Sequence, residues 1–295
     1  MKAETQQNAA AGKQQKTKLK LTENDEEILL LLCQGPHTIK QLQRRTCRFS
    51  QYSYEGLRRR LKELAAFDYV RSFNYYTSLA EGCLYYKVTT KGFRYVNHGV
   101  RPPSHSFFEE IADSEQKHTF ATYEFVSRFD RDSFVAGYEL TNFRRDRKTK
   151  LKLGSKILLS DSSFELHGHG RECLYYLETD CATERQMTTT QQSSLIQKVN
   201  FYDPFCRKLE RNCRVLTVFA RRPGRRDNFL KLVYDNLSPP YNRTLFLAAM
   251  LPGTKDDVNV IEDPVYRDRY GNDRALFANT YEKKTQVQME QLVLA

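Results

Sequence analysis

Acidic side chains lie on two neighbouring predicted strands in the second half of the chain. Asp161 lies in the middle of the first strand, and Glu178 and Asp180 end the next one. Because strand side chains alternate, Glu178 and Asp180 point to one face about 7 Å apart. Three converging carboxylates can bind Mg²⁺, which activates water and stabilises phosphoryl transfer. Lys198, on the following helix, is placed to neutralise a phosphate. The alternative is that these acids are simply solvated.

The elements that would position these residues form a mixed α/β pattern. The order α-β-β-β-α-β, with a trailing helix and strand, predicts a mixed sheet with helices packed on it. The pattern predicts helices at 109–129, from Thr188 or Thr189 to Phe205, and at 227–237, with strands at 133–143, 157–166, 173–180, 214–220 and 244–251. His118, near the start of the first helix, is a candidate to orient a carboxylate, although a capping or core role is the more ordinary one.

The N-terminal part of the chain has the element order of a winged helix-turn-helix. Thr22 precedes an acidic first turn and Thr38 an apolar one, so each can cap a helix. Leu57, Leu61 and Leu64 repeat at four and three residues, which predicts the buried stripe of a third helix. The predicted helices end near residues 34, 48 and 67, and strands at 70–76 and 83–88 lead to a closing helix from Thr89.

Basic residues are concentrated on the helices that such a fold presents to DNA. From Lys40 to Lys62 there are eight basic residues and one acidic residue, Glu55. A solvated helix face is the ordinary explanation of such a run, but its position on the third helix favours contact with double-stranded DNA. The predicted DNA-binding residues are Lys40, Arg44, Arg45, Arg48, Tyr54, Arg58, Arg59, Arg60, Lys62 and Lys87.

Composition limits the class of protein. The 295 residues carry a formal net charge of +11, which favours a polyanionic partner. The seven cysteines have no CxxC spacing, and no signal or membrane-spanning segment is recognisable, so we expect reduced thiols, a cytoplasmic location and no membrane partner. The predicted divisions are a disordered basic tail at 1–20, a winged-helix domain at 21–99, an α/β domain at 105–280 and a C-terminal tail at 281–295.

Two further basic stretches flank predicted strands. Residues 144–156 hold seven basic residues and one acidic residue, and the pattern predicts a loop that is either solvated or follows a phosphate backbone. The stretch 221–226 is interpreted in the same way. His167 and His169 form an HxH pair, but Gly168 and Gly170 favour a hairpin turn over a metal site.

Four short segments resemble the replication-relaxation family, whose members belong to plasmids and other bacterial mobile elements. The segments are His118-Thr119-Phe120, Leu159-Ser160-Asp161, Tyr176-Leu177-Glu178-Thr179-Asp180 and Lys198-Val199-Asn200-Phe201-Tyr202. The resemblance implies an N-terminal winged helix joined to a domain similar to the PD-(D/E)xK, or restriction-endonuclease-like, fold. Two departures from that nuclease signature are Ser160, where proline is usual, and Asp180, where lysine is usual. In some relatives of the fold the lysine is on the next helix, where Lys198 lies.

Three functions remain open at this point. The first is a DNA-binding accessory protein of a plasmid or other mobile element, acting in replication, relaxation or mobilisation. A relaxase or replication initiator is then a possible partner, and a bacterial nucleoid- or plasmid-associated location is expected. The second is a metal-dependent DNA endonuclease, or nickase, that uses Asp161, Glu178 and Asp180 for Mg²⁺ and Lys198 for the phosphate. The third is a transcriptional regulator.

Overall fold

The computed structural model describes residues 19–77, 80–145, 149–182, 195–209, 211–237, 245–251 and 257–277. Nearly all of the predicted N-terminal tail, the whole predicted C-terminal tail and the predicted helix start at Thr188 or Thr189 lie outside these ranges. Within them, no helix is both long and apolar enough to cross a membrane. The described chain is a mixed α+β protein with two groups of packed elements.

The first group has the arrangement of a winged helix. Three helices precede an antiparallel hairpin, and a fourth helix follows it; a two-residue strand before the second helix completes a sheet of order β1-β3-β2. The elements are α1 (Glu23–Gln34), β1 (His37–Thr38), α2 (Ile39–Thr46), α3 (Tyr54–Ala66), β2 (Val70–Thr77), β3 (Ala80–Val88) and α4 (Thr90–Val96).

Local sequence signals explain why these helices begin where they do. Thr22 and Thr38 each form a capping box, in which the side chain accepts a backbone N–H and the third helical residue bonds back. Leu57, Leu61 and Leu64 are fully buried, as the four-and-three spacing predicts. Phe107 and Phe108 also join this core, so its packing extends past the proline-rich segment at 100–104.

Arg60 ties α3 to α1 instead of facing solvent. Its guanidinium donates 2.5 Å and 2.6 Å hydrogen bonds to the carboxylate of Asp25, which is fully buried. Burial raises the pKa of Asp25, but the hydrogen bonds from Arg60 and Thr22 outweigh it and hold that pKa below its usual range. Arg60 also pairs with Glu63. Arg60 was predicted to contact DNA, but the structure gives its side chain a different role, the neutralisation of a buried charge.

The second group is built on a seven-stranded mixed sheet of order β12-β11-β10-β9-β8-β7-β4, in which β8, β9 and β10 run parallel. Apart from a two-stranded hairpin (β5–β6), its elements follow the predicted α-β-β-β-α-β order. They are α5 (Asp113–Val135), β4 (Glu139–Arg144), β5 (Thr149–Leu153), β6 (Lys156–Ser160), β7 (Ser162–Gly168), β8 (Arg171–Asp180), α6 (Leu195–Arg207), β9 (Cys213–Phe219), α7 (Pro223–Asn236), β10 (Phe246–Met250), β11 (Tyr266–Arg267) and β12 (Asp273–Arg274).

Several boundaries differ from the predictions: α5 begins at Asp113 and α7 at Pro223, and three further differences lie close to the predicted acidic strands. Residues 133–135 belong to the last turn of α5, which ends before Gly137 at a positive φ of 75°. The predicted strand at 157–166 is divided at Asp161 into β6 and β7. The predicted loop at 144–156 contains β5, which pairs with β6 as a separate antiparallel hairpin. Its Thr-Lys-Leu-Lys-Leu alternation is a strand pattern that the high charge concealed.

Two apolar cores cover the two faces of the large sheet. On one face, α5 packs Phe125 and Phe129 against Phe164 and Tyr175. On the other face, α6 and α7 pack against β8, β9 and β10. Because α5 also contacts the winged helix, this single helix connects the two groups of elements.

The contact between α2 and α5 is polar and buried. Asp130 of α5, 2% exposed, accepts hydrogen bonds from Arg45 at 2.8 Å and from Arg48. Arg44 pairs with Glu124 at 2.7 Å. These ion pairs hold the winged helix against the α/β part of the chain through side chains that a surface helix would expose.

His37 is buried beside this contact. Its Nδ1 donates to the Gly35 carbonyl at 2.9 Å, and its Nε2 accepts from Arg45 at 3.1 Å. Burial and the adjacent Arg45 charge together lower the pKa of His37 to about 3. The folded chain therefore requires a neutral imidazole.

We expect His37 to make the protein sensitive to mild acid. A depressed folded-state pKa gives stability that is present above the unfolded value near 6.5 and is lost as pH falls toward 3. Between pH 6.5 and 5 the loss is about 2 kcal/mol in the free energy of unfolding. Urea denaturation at pH 7.5, 6 and 5 measures it. His37→Gln should show a smaller decrease over this range, and an equal decrease in both proteins would contradict the assignment.

Candidate functional site

The exposed face of α3 is formed by Tyr54, Arg58, Arg59 and Lys62, which we call the α3 face. The buried leucines of the helix point to the opposite side, so positions 54, 58, 59 and 62 face solvent together. Arg58 has a 3.4 Å contact with exposed Glu55, a pair with little energetic weight. Within the described residues, Arg59 and Lys62 have no ion-pair partner. This face combines positive charge with an exposed aromatic ring that is 43% accessible.

Lys40 is also exposed. Four of the remaining predicted DNA-binding residues bind groups within the protein: Arg44, Arg45, Arg48 and Lys87. Arg45 is 2% exposed, which excludes contact with a DNA groove, and Arg44 and Arg48 have the α5 partners described above. Lys87 is buried and donates to the Glu109 carbonyl. Burial lowers the pKa of Lys87 to about 8, with the nearby Arg145 charge acting in the same direction. The predictions for Arg45 and Lys87 are corrected, because both side chains are buried; Arg44 and Arg48 keep some exposure, but their charge is used on internal carboxylates.

A second candidate site lies between the sheet and α6. Lys198 Nζ lies 2.7 Å from Glu178 Oε2, and the Tyr202 hydroxyl donates to Glu178 Oε1. Glu178 is 2% exposed and Lys198 8%. Burial raises the pKa of Glu178 to about 7, although the charge of Lys198 acts in the opposite direction. The structure thus brings together the predicted acid and the lysine of the next helix.

Asp161 lies beside this pair, at the break between β6 and β7. Its Oδ2 accepts a hydrogen bond from the Thr179 amide at 2.7 Å and from His118 Nε2 at 3.1 Å. Burial raises the pKa of Asp161, but the His118 hydrogen bond and the Lys198 charge outweigh burial and keep that pKa below its usual range. His118 therefore orients a carboxylate, one of the roles the sequence suggested.

Asp180 is separated from these residues by its own partners. Its Oδ2 accepts from Arg225 at 2.6 Å and its Oδ1 from the Ala182 amide at 2.6 Å. In the described ranges, Asp161, Glu178 and Asp180 do not bring three ligand atoms within 4.8 Å of one another. The convergence of three carboxylates that the sequence predicted is therefore not present in this arrangement.

The same geometry tests whether Mg²⁺ fits between Asp161 and Glu178. Lys198 and Tyr202 already occupy the two carboxylate oxygens of Glu178, and His118 and the Thr179 amide occupy Oδ2 of Asp161. The cavity on the Lys198 and Tyr202 side of Glu178 has no room for a water molecule. A hard cation needs six or more oxygen ligands, usually with several waters. The residues present do not fit Mg²⁺ in this conformation.

Three contacts of the site were missed from the sequence. The Thr179 amide, the Tyr202 hydroxyl and Arg225 hold the three acids. Thr179 and Tyr202 lie in segments that resemble the family, but the sequence assigned no contact to them. Arg225 appeared in the sequence only as part of the basic stretch 221–226. Thr179, Tyr202 and Arg225 lie 18, 24 and 45 residues from Asp161, Glu178 and Asp180, respectively. Contacts between residues so far apart cannot be predicted from neighbouring positions in the sequence.

One group with metal-ligand chemistry lies at the other end of the sheet. Glu165, His167 and Glu172 place one ligand atom each within 4.8 Å, the only such group among the described residues. Arg211 already pairs with Glu165 at 2.9 Å and with Glu172. Because a guanidinium occupies both carboxylates, the group is an ion-pair cluster in this structure.

The fold therefore defines an α+β protein that joins an N-terminal winged helix to a mixed sheet. The model of the replication-relaxation family matches residues 29–221, about two thirds of the sequence. The chain belongs to this family. It matches no curated protein.

Solved structures are only distantly similar. AdcR, the adhesin competence repressor of Streptococcus pyogenes, is 22% identical over 26% of this chain and 53% of its own, with a TM-score of 0.23. Bacillus subtilis PadR in complex with operator DNA is 13% identical over 40% of this chain and 73% of its own, with a TM-score of 0.25. Protein VC1899 of Vibrio cholerae is 11% identical over 72% of this chain and 55% of its own, also at 0.25. At these scores, the functional argument rests on the chain's own residues.

Proposed function

We propose that this protein is a DNA-binding accessory protein of a plasmid or other mobile element, acting in its replication, relaxation or mobilisation. The α3 face carries the proposal. Arg58, Arg59 and Lys62 are exposed there, on the side of the helix away from its buried leucines. The helix lies where a winged helix enters the major groove. Family membership supports the replication-related part of the role.

The internal ion pairs strengthen this proposal. Arg44, Arg45, Arg48 and Arg60 have carboxylate partners, whereas Arg59 and Lys62 have none among the described residues. Basic side chains that fold stability does not need are concentrated on one helix face. A net charge of +11 then attracts the duplex over distance, and the α3 face aligns it.

Equilibrium binding to duplex DNA tests the proposal. Fluorescence anisotropy with labelled duplexes tiled across the mobile element's replication and transfer regions should detect binding whose affinity falls steeply between 50 and 200 mM salt. Phosphate contacts release counterions, so log K falls linearly with log salt. Absence of salt-sensitive binding to every duplex would contradict the proposal.

A metal-dependent endonuclease remains a second candidate because of one specific observation. Lys198 reaches Glu178 at 2.7 Å, next to Asp161, which reproduces part of the acid–lysine arrangement expected from the nuclease-like segments. Asp180 pairs with Arg225, and Mg²⁺ does not fit the closed cluster. The arrangement therefore supports a nuclease less than it supports a buried structural network.

A nicking assay separates these two interpretations. Supercoiled element DNA is incubated with the protein in Mg²⁺, Mn²⁺ or EDTA, beside Glu178→Gln and the matched surface variant Glu172→Gln. The accessory-protein account predicts no cleavage in any condition. Metal-dependent nicking that Glu178→Gln alone abolishes would establish the nuclease instead.

A further inference from the structure

The β5–β6 hairpin presents an unusual exposed surface, which we call the hairpin face. Lys150 pairs across the ladder with Leu159, and Lys152 with Ile157. Cross-strand partners share one face of a hairpin, so these four side chains stand together. Ile157 is 49% and Leu159 44% exposed, and both lysines are exposed. Within the described chain, neither lysine has an ion-pair partner.

The opposite face of the hairpin fixes it to the body of the protein. Leu151 and Leu158 are buried in the core formed with α6. The Thr149 hydroxyl also bonds the Ser163 hydroxyl at 2.7 Å. The exposure of Ile157 and Leu159 is thus a property of an anchored ribbon with one packed and one open face.

We propose that the hairpin face is a second contact for double-stranded DNA, in addition to the α3 face. The proposal rests on the DNA-binding function proposed above. The B-DNA major groove admits a two-stranded β-ribbon. On the hairpin face, Lys150 and Lys152 supply phosphate contacts, and Ile157 and Leu159 supply the apolar contact that thymine methyl groups accept.

The charge of the hairpin face favours a nucleic acid over a protein as its partner. The hairpin face has two cations and no acid, and exposed Lys156 beside the hairpin turn and exposed Arg144 at the end of β4 add positive charge nearby. Two exposed aliphatic residues framed by lysines match a polyanion whose major groove displays thymine methyl groups. A second copy of this chain would bring like charges together.

Paired variants test this inference. Lys150→Ala/Lys152→Ala should lower the affinity for a long duplex about tenfold at 100 mM salt and reduce the slope of log K against log salt by about 2, one for each lost phosphate contact. Ile157→Ser/Leu159→Ser should lower affinity without changing the slope. The matched control Lys208→Ala/Lys231→Ala, which removes two exposed lysines elsewhere, should leave both quantities near the wild-type values.

The outcomes distinguish this inference from the proposed function. If Lys150→Ala/Lys152→Ala binds like the control while α3-face variants lose binding, the hairpin inference fails and the function stands. If the wild-type protein shows no salt-sensitive DNA binding, both fail. The inference is also overturned if Lys150→Ala/Lys152→Ala loses binding to phosphatidylglycerol vesicles while its DNA affinity stays unchanged. The hairpin face would then bind a membrane surface. Thermal unfolding of each variant verifies that the fold is intact.

Discussion

Replacing Arg58, Arg59 and Lys62 together by alanine is expected to lower DNA affinity on the order of 100-fold, because each cation contributes about 1 kcal/mol or more at a phosphate or base edge. All three side chains are exposed on one face of α3. The salt slope should fall by about 3. Stability should hardly change, since these residues bury no apolar surface. Anisotropy titrations from 50 to 200 mM salt, together with urea denaturation, measure both quantities.

Arg60→Ala is the matched control for that experiment. Arg60 lies on the same helix and carries the same charge, but it neutralises fully buried Asp25. We expect this variant to unfold at a lower urea concentration while its folded fraction keeps nearly the wild-type affinity. The assignment of the α3 face is contradicted if Arg60→Ala loses more affinity than the triple variant.

Asp130→Asn is expected to destabilise the protein by about 3 kcal/mol. Asp130 is 2% exposed and accepts hydrogen bonds from Arg45 and Arg48, so a neutral side chain leaves the buried Arg45 cation without its counter-charge. Removing one partner of a buried ion pair costs 3 to 5 kcal/mol, roughly, whereas exposed pairs contribute little. Urea denaturation at pH 7.5 measures the loss.

Two further variants test whether that loss of stability comes from the buried ion pair. Asp227→Asn breaks ion pairs at a residue whose side chain is 52% exposed, and it should change the free energy of unfolding by less than about 0.5 kcal/mol. Arg45→Met/Asp130→Asn should recover part of the stability, because the unpaired buried cation is removed. If Asp130→Asn costs no more than Asp227→Asn, the α2–α5 contact does not hold the winged helix in place.

Local signals explain what the sequence predicted well. The helix starts after Thr22 and Thr38 depend on neighbours three residues away, and the α3 stripe depends on a fixed repeat of leucines. The β5 strand was missed although Lys150 and Lys152 alternate with leucines, because dense positive charge resembles a solvated loop. This segment forms a strand because Leu151 is buried against α6. That contact joins residues far apart in the chain, so a short stretch of sequence does not reveal it.

The sequence does not show which acidic and basic residues pair with one another. Arg45 and Asp130 are 85 residues apart, and Asp180 and Arg225 are 45 residues apart. An arginine that neutralises a buried acid and one that faces solvent look alike in a basic run. Hence the sequence indicated the helix that we propose for the DNA contact but could not separate Arg59 from Arg60, and it placed Asp180 with acids whose ligand atoms the fold does not bring together with its own.

Site-specific photocross-linking at Tyr54 tests the central claim most directly. A benzoylphenylalanine in place of Tyr54 keeps an exposed aromatic ring at the start of α3, and the same residue in place of Tyr234, 55% exposed on α7, is the matched control. With labelled duplex DNA and ultraviolet light, we predict a covalent adduct at position 54 and almost none at position 234. DNA that binds but cross-links only at position 234, or equally at both, would contradict the assignment of the α3 face.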